Sequence, residues 1–454
     1  MNTLRSLTLA RTFTAALVLV GRFPASLFAQ SETSPAQPAA SEGLLPVTNY
    51  GGDWRTRIGL SGDWNDLRQN WAEHGFTVDF RLTQYGQGIE SGGSDEGWEF
   101  GGSGEALFRA DLSRMAIVPG ALVTLRAESR YGDSVNGKSG LLLPVDTQSF
   151  FPLTELPDDD IPIAITELNY TQFLSQHAGV IVGKVQTLDG DPNEFAGGRG
   201  RSQFMNFAFV ANPVTALTVP YSTLGAGVVL LPSDSVTISS ILMNLTDSST
   251  SSGFDDFGKG AVWSTEADFQ RKSDLPGGVN VGGTYAFDAD FTDLDGKLEF
   301  IPGVGPALQS ESTSWCVYAS AWQYLRMEDE ASERIRTNDG RPDLQGLGLF
   351  TRLGFADHDT NPIDWSASLG LGGRGLIDGR GDDCFGLGYF YTSLQQPRSL
   401  LINRLGDHTQ GLELFYDMAF ARSVSLTLDG QWVAGAFNDI DDAVLIGLRL
   451  NVCL

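Results

Sequence analysis

The sequence predicts an all-β protein, a transmembrane antiparallel β-barrel of about 16 strands with a short N-terminal amphipathic helix. Three observations carry that expectation. From Thr77 to Leu454 the chain falls into segments of about ten residues that alternate apolar and polar positions, separated by Gly, Asp, Asn, Ser and Pro. In the clearest segments one face carries no charge, the condition for facing lipid, where a Lys or Arg costs roughly 2–4 kcal/mol at mid-bilayer. The N-terminus has the pattern of a secretory signal, which directs a chain out of the cytoplasm.

Taken in order, Arg5 and Arg11 precede the apolar run Thr12 to Val20, and small residues lead up to Gln30, so residues 1–29 are expected to be a signal peptide. Residues 30–60, rich in Ser, Ala and Pro at their start, are expected to form a disordered leader. In residues 61–76, Trp64, Leu67 and Trp71 share one side at helical spacing, with Asp63 to cap the start and Gly75 to end the turn, which predicts a periplasmic helix. The barrel is then expected over 77–454. From Ala121, the apolar face Ala121, Val123, Leu125, Ala127 opposes Thr124, Arg126, Glu128, Arg130. From Glu105, Ala106, Phe108, Ala110 and Leu112 oppose Glu105, Arg109 and Asp111; from Ala261, Trp263, Thr265, Ala267 and Phe269 oppose Glu266 and Asp268. Leu412, Leu414, Tyr416, Met418 and Phe420 oppose Glu413 and Asp417, and Val444 to Leu454 alternates with Gly447, Arg449 and Asn451. A soluble sandwich alternates as well, with its apolar face inward. Aromatics near the strand ends (Trp263, Tyr285, Phe287, Trp365, Phe420, Trp432) and alternation to the last residue favour a barrel in lipid. Sixteen tilted strands enclose an aqueous lumen, which makes the expected function a channel.

Composition removes other classes. The 454 residues hold 30 Lys+Arg against 56 Asp+Glu, a net charge of −26, so the field repels polyanions and no nucleic-acid partner is expected. The three cysteines are far apart and the four histidines lack ligand spacing, so neither a disulfide framework, a metal site nor a cofactor is expected. Gly132 to Ser139 (GDSVNGKS) fits a phosphate-loop pattern, but Gly140 and Pro144 oppose the helix that chemistry requires, so it reads as a loop. GLGGRG (370–375) ends an alternating segment without a helix after it and reads as a turn. Asp189, Asp191 and Asn193 open like a calcium loop, yet Glu194 and Gly200 stand where such a loop needs Gly and Glu. The uncharged stretch Ser202 to Ser233 is broken by Pro213 and Pro220 and is not a membrane helix. Asp158, Asp159 and Asp160 lie between prolines and read as a solvated acidic loop. No catalytic constellation is present in the sequence, and an enzyme is not expected.

Four segments, in order, resemble the OprB family of carbohydrate-selective porins: SGDWNDLRQNWAEHGFTVDF (61–80), VGKVQTLDGDPNEFA (182–196), LFTRLGFADHDTNP with LGGRGLIDGRGDDCFGLG (349–388), and QGLELFYDMAF followed by IGLRL (410–450). The resemblance implies passive, selective diffusion of small sugars across the outer membrane of a Gram-negative-type bacterium, with carbohydrate and outer-membrane lipid as partners; a homo-oligomer is compatible with it. The expected pore-lining and sugar-contact residues are Arg81, Arg109, Asp111, Arg126, Glu128, Arg130, Glu167, Asn169, Lys184 and Gln186, whose charges can hydrogen-bond hydroxyls or simply stiffen the wall. Tyr318, Trp322 and Tyr324 share one face, and either stack on sugars inside or form a lipid girdle outside. Two other readings stand beside the sugar porin: a general or ion-preferring pore, suggested by the acidic balance, and a secreted soluble β protein that binds or hydrolyses polysaccharide.

Overall fold

Arg81 pairs with Cys453 and Thr83 with Asn451, and this seam between the first and last long strands closes the sheet on itself. The structure, a computed structural model, describes residues 43–152, 162–190, 192–296, 298–301, 305–328, 344–395 and 405–454. The expected signal peptide, the first part of the leader and the acidic run Asp158 to Asp160 lie outside the described residues.

The wall is a closed barrel of 16 strands. Its first half is β1 (Phe76–Gly93), β2 (Gly97–Asp111), β3 (Ala121–Gly132), β4 (Ala164–Ser175), β5 (Ala178–Gln186), β6 (Ser222–Ser233), β7 (Val236–Asn244) and β8 (Ala261–Arg271). The second half is β9 (Gly277–Phe287), β10 (Ser314–Met327), β11 (Gly346–Ala356), β12 (Ile363–Arg374), β13 (Cys384–Leu394), β14 (His408–Ala421), β15 (Val424–Ala434) and β16 (Asp441–Cys453). Each strand pairs antiparallel with its neighbours. Two short ribbons, Phe291–Thr292 with Ser310–Glu311 and Leu298–Ile301 with Gly305–Leu308, decorate the β9–β10 connection. One rim carries long connections, such as 133–163, 187–221 and 288–313; the other has tight turns at 176–177, 234–235 and 422–423.

The alternation decides which residues point out of the barrel and which point into it. Leu412, Leu414, Phe420, Val444, Ile446 and Leu448 point outward and are exposed, whereas Glu413, Asp417 and Arg449 on the same strands, with Thr427 and Asp429 of β15 between them, point inward and are buried. A soluble sandwich would show the reverse. Aromatics collect at the strand ends: Trp365, Tyr391 and His408 stack near one rim, while Trp64, Phe80 and Phe108 gather near the other.

Helix α1 spans Leu67–Glu73, shorter than the segment expected from Asp63. Trp64, Asn65 and Asp66 all have positive φ, so the chain makes a left-handed turn before the helix starts. The Asp63 carboxylate nevertheless accepts from the Gln69 amide, and Gly75 closes the other end at φ 94°. Arg68 fixes the segment: it donates to the Val78 and Leu454 carbonyls and lies 3.9 Å from the Tyr50 ring. Residues 43–60, expected as the end of a disordered leader, are irregular but packed. Tyr50 is buried and donates to Asp79, and the Leu45 amide donates to Asp111.

Leu414 lies midway along β14 and is 55% exposed on the outer face. Leu414→Arg should destabilise the barrel by about 2–4 kcal/mol, read as a lowered denaturant midpoint for vesicle-embedded protein. An unchanged midpoint would place this face away from lipid.

Candidate functional site

The long-rim connection 187–221, between β5 and β6, folds into the lumen instead of standing above it. Its composition suits that position, because a segment without charge from Ser202 onward can be covered on all sides. Asn206 and Asn212 shape it: each side chain caps a short turn, at Phe207–Val210 and at Pro213–Thr215, satisfying amides that burial would otherwise leave unpaired.

Across the lumen this loop is fastened to the inner wall of β10–β16. Arg352 of β11 donates to the Ala196 and Phe209 carbonyls, both at 2.5 Å. Arg449 of β16 donates to the Gly200 and Gln203 carbonyls at 2.6 and 2.7 Å. Glu413 of β14 accepts from the Met205 and Asn206 amides, and Asn193 donates to Ser320 of β10. Between these bonds lies an aromatic core in which Phe204 and Phe209 of the loop meet Phe350, Phe390 and Phe415 of the wall. The wall makes room with glycine. A Cβ at Gly372 would stand 2.6 Å from the Phe195 Cβ, and one at Gly388 2.6 Å from the Phe209 ring.

On the opposite side the fastening is ionic. Arg126 of β3 meets Glu105 at 2.6 Å, Glu167 at 3.0 Å and Asp189 at 3.0 Å. Arg199 reaches Glu128 and Asp189 at 3.0 Å, and Arg201 reaches Glu105 at 2.8 Å and Glu128 at 3.1 Å. Tyr221 donates to Glu128 and accepts from Arg199, while Gln148 of the 133–163 connection accepts from Arg201. Three guanidiniums thus face four carboxylates. The Asp189 side chain is the most open of them, at 49% exposed. A cavity of about 460 Å³ lies between this loop and the inner wall of β5–β8.

The structure brings some of the expected residues together and separates others. Arg126, Glu128 and Glu167 meet in the ionic cluster; Asn169 joins through Glu167, and Arg81 stands opposite Glu105 in register. Asp111 instead accepts from the Leu45 and Arg114 amides, and Arg109 stands two residues from it on the same face. Arg130 donates to the Ser149 and Phe150 carbonyls, and Lys184 to those of Ser248 and Ser251. Gln186 lines the cavity. Tyr318, Trp322 and Tyr324 face inward: Tyr318 donates to Glu266, Tyr324 to Glu194, and Trp322 packs on Phe195. The candidate set omits Glu105, Gln148, Asp189, Arg199, Arg201 and Tyr221. Glu105 shares a polar face with Arg109 in the sequence, and Gly198 to Arg201 places two arginines beside an uncharged run, so a signal for these existed. Their meeting with β3 across long separations had none.

The near-motifs resolve as structure. Lys138 of the phosphate-loop match pairs with Glu99 at 2.7 Å, and Asn193 caps the Phe195 amide. Asp191 lies outside the described residues. The GLGGRG segment is mostly the end of β12, where its glycines accommodate rings.

Residues 102–454 match the family described as carbohydrate-selective porin, OprB family. Porin B of Pseudomonas aeruginosa is 24% identical over 218 residues, covering 42% of this chain and 45% of that protein, so the match spans less than half of the relative's length. A high-pH structure of Pseudomonas putida OprB superposes with a TM-score of 0.73 at 19% identity, covering 89% of this chain and 100% of that one. A low-pH structure of the same protein gives 0.54 at 13% identity, covering 88% and 99%. These two structures share the fold.

Arg352→Ala should free the loop from β11, raising single-channel conductance and current noise while the folded band on a gel persists; unchanged conductance would mean the bond does not hold the aperture. A second expectation concerns Asp146, buried in the 133–163 connection, where it accepts from the Gln148 amide. Burial raises its carboxyl most, Arg449 and the Gln148 amide pull it back, and it ends pushed up to about 7. Between about pH 4 and that value the folded chain holds a proton the unfolded chain has released, so stability falls as pH rises through the window. Asp146→Asn keeps the acceptor and removes the titration, and should flatten the fall by at most about 4 kcal/mol. Identical pH dependence of the urea midpoint in both proteins would refute the assignment.

Proposed function

Because this chain belongs to the OprB family of carbohydrate-selective porins, we propose that its barrel is a channel for passive, selective diffusion of small sugars. Family and 16-strand fold make it an outer-membrane protein of the Gram-negative type. The observation that carries the reading is the inward loop, fastened by ion pairs on one side and by an aromatic core on the other, which narrows a lumen that the wall alone leaves wide.

A sugar has no net charge and many hydroxyls. To pass a narrow section it must exchange water for groups that both donate and accept, and a wall that intersperses Arg with carboxylate offers both. Arg81, Arg126, Glu128, Glu167 and Asn169 are the members of the expected set that meet in the ionic cluster, where they hold the loop and are largely covered by it, and Asp189 is its open edge. Asp111, Arg130 and Lys184 are better read as holding the segments they touch, and Gln186 stands beside the neighbouring cavity. Because barrels of this kind turn their tight-turn rim to the periplasm, our reading is that α1 and residues 43–60 belong to the periplasmic mouth.

Liposomes carrying the protein should admit glucose faster than amino acids of similar size; equal rates would remove sugar selectivity and leave the general pore. In single-channel recordings, added sugar should interrupt the ionic current, and Arg126→Ala should weaken that block. Undisturbed current at high sugar concentration would favour an ion-preferring pore, a reading supported by the open Asp189 carboxylate.

A further inference from the structure

The register of β1 with β2 and β16 turns the even-numbered residues of β1 outward: Gly86 lies opposite Phe100 and Leu448, both exposed on the outer face. Phe76, Val78 and Phe80 share that parity, as Phe108 does on β2, so all four belong to the outer surface at the tight-turn rim. Val78 is nevertheless buried, and α1 packs against this end of β1. The Arg68 guanidinium donates to the Val78 carbonyl and pins the helix there. α1 therefore sits at the outer edge of the rim.

Two tryptophans carry the outer surface onto this segment. Trp64, in the left-handed turn before the helix, lies 6.4 Å from Phe80, and Trp71 of α1 lies 5.7 Å from Phe76. Phe80 is in turn 6.2 Å from Phe108, so the outward rings run from the wall into the helix at packing distance. The helix itself has three sides. Arg68 and Ala72 are buried; Leu67 and Trp71 share a second side, on which Leu67 is 43% exposed; Asn70 and Glu73 form an exposed polar third. An apolar side set between a buried one and a polar one suits a helix lying in the plane of a membrane interface, the depth that indole rings favour. The polar side carries Glu73 and neither Lys nor Arg, so apolar area and not attraction to anionic headgroups is the contact on offer. A protein partner, a second copy and lipid compete to cover such a side. Continuity with the lipid-facing wall selects lipid, because an interface that reaches Phe80 and Phe108 also reaches Trp64.

We propose that residues 61–76 form an interfacial anchor: Trp64, Leu67 and Trp71 enter the boundary between headgroups and acyl chains in the leaflet at the tight-turn rim and bind phospholipid there. The same segment holds the barrel seam, since Arg68 donates to the Leu454 carbonyl and the Leu60 amide to that of Cys453. The lipid contact thereby tethers the end of β16 as well as the helix. This inference is independent of which solute the channel passes.

The test uses the full-length protein in vesicles of palmitoyl-oleoyl phosphatidylcholine. Leu67→Cys and Asn70→Cys each carry a fluorescent label, in a Cys384→Ser, Cys453→Ser background that keeps the buried Cys316 and is checked for folding by the heat-dependent gel shift. Phosphatidylcholine with a nitroxide near the headgroup end of its acyl chain should quench the label at position 67 several-fold more than the label at position 70, and aqueous iodide should rank them the other way. Equal quenching at the two positions, or a position-67 label open to iodide and untouched by the nitroxide, overturns the anchor. The unmodified protein gives a second reading that no variant's folding affects. A phosphatidylcholine with a diazirine high on its acyl chain should photolabel the peptide that holds Leu67 and Trp71, and label confined to strand peptides overturns the proposal.

Discussion

Backbone pairing across the seam between β1 and β16 is the constraint from which the rest of the molecule follows. In hydrocarbon an unpaired N–H or C=O has no water to turn to, so a sheet can cross only if it has no edge. Closure with sixteen strands fixes a circumference too large for wall side chains to fill. Something else must narrow the hole, and the chain uses its own connections, chiefly residues 187–221.

Holding such a loop is a problem of opposite chemistries on two sides of one cylinder. Toward β2–β4 it is tied by Arg199 and Arg201, whose burial is tolerable because each meets carboxylates at salt-bridge distance. Toward β10–β16 it is tied by wall arginines that reach backbone carbonyls and by rings that exclude water. Ion pairs are directional and fix register, whereas the aromatic contacts supply area. The lumen is therefore neither uniformly wet nor uniformly charged, and the space that remains lies where neither fastening acts.

The outer face was legible in the sequence because lipid imposes one rule on every strand: Leu412, Leu414, Val444 and Ile446 could be assigned by alternation alone. The inner face obeys no common rule. Phe415 and Leu445 point inward, against a polar-in pattern, because Phe204 and the rest of the loop cover them. Arg126 and Glu128 could be nominated from their strand, but their partners Arg199 and Arg201 arrive from a connection that alternation does not describe. The helix was shorter than its spacing suggested for a similar reason: side-chain periodicity says nothing about the positive φ of Trp64 to Asp66.

The inner glycines against which the loop rings rest form a mould, and the aperture is partly set by what the wall lacks. A methyl group added at Gly372 or Gly388 would stand 2.6 Å from Phe195 or Phe209, so the insert or the wall would have to shift. Descendants of this chain can therefore retune their bore through silent-looking changes in the lining, and two pores with identical inserts need not have identical widths.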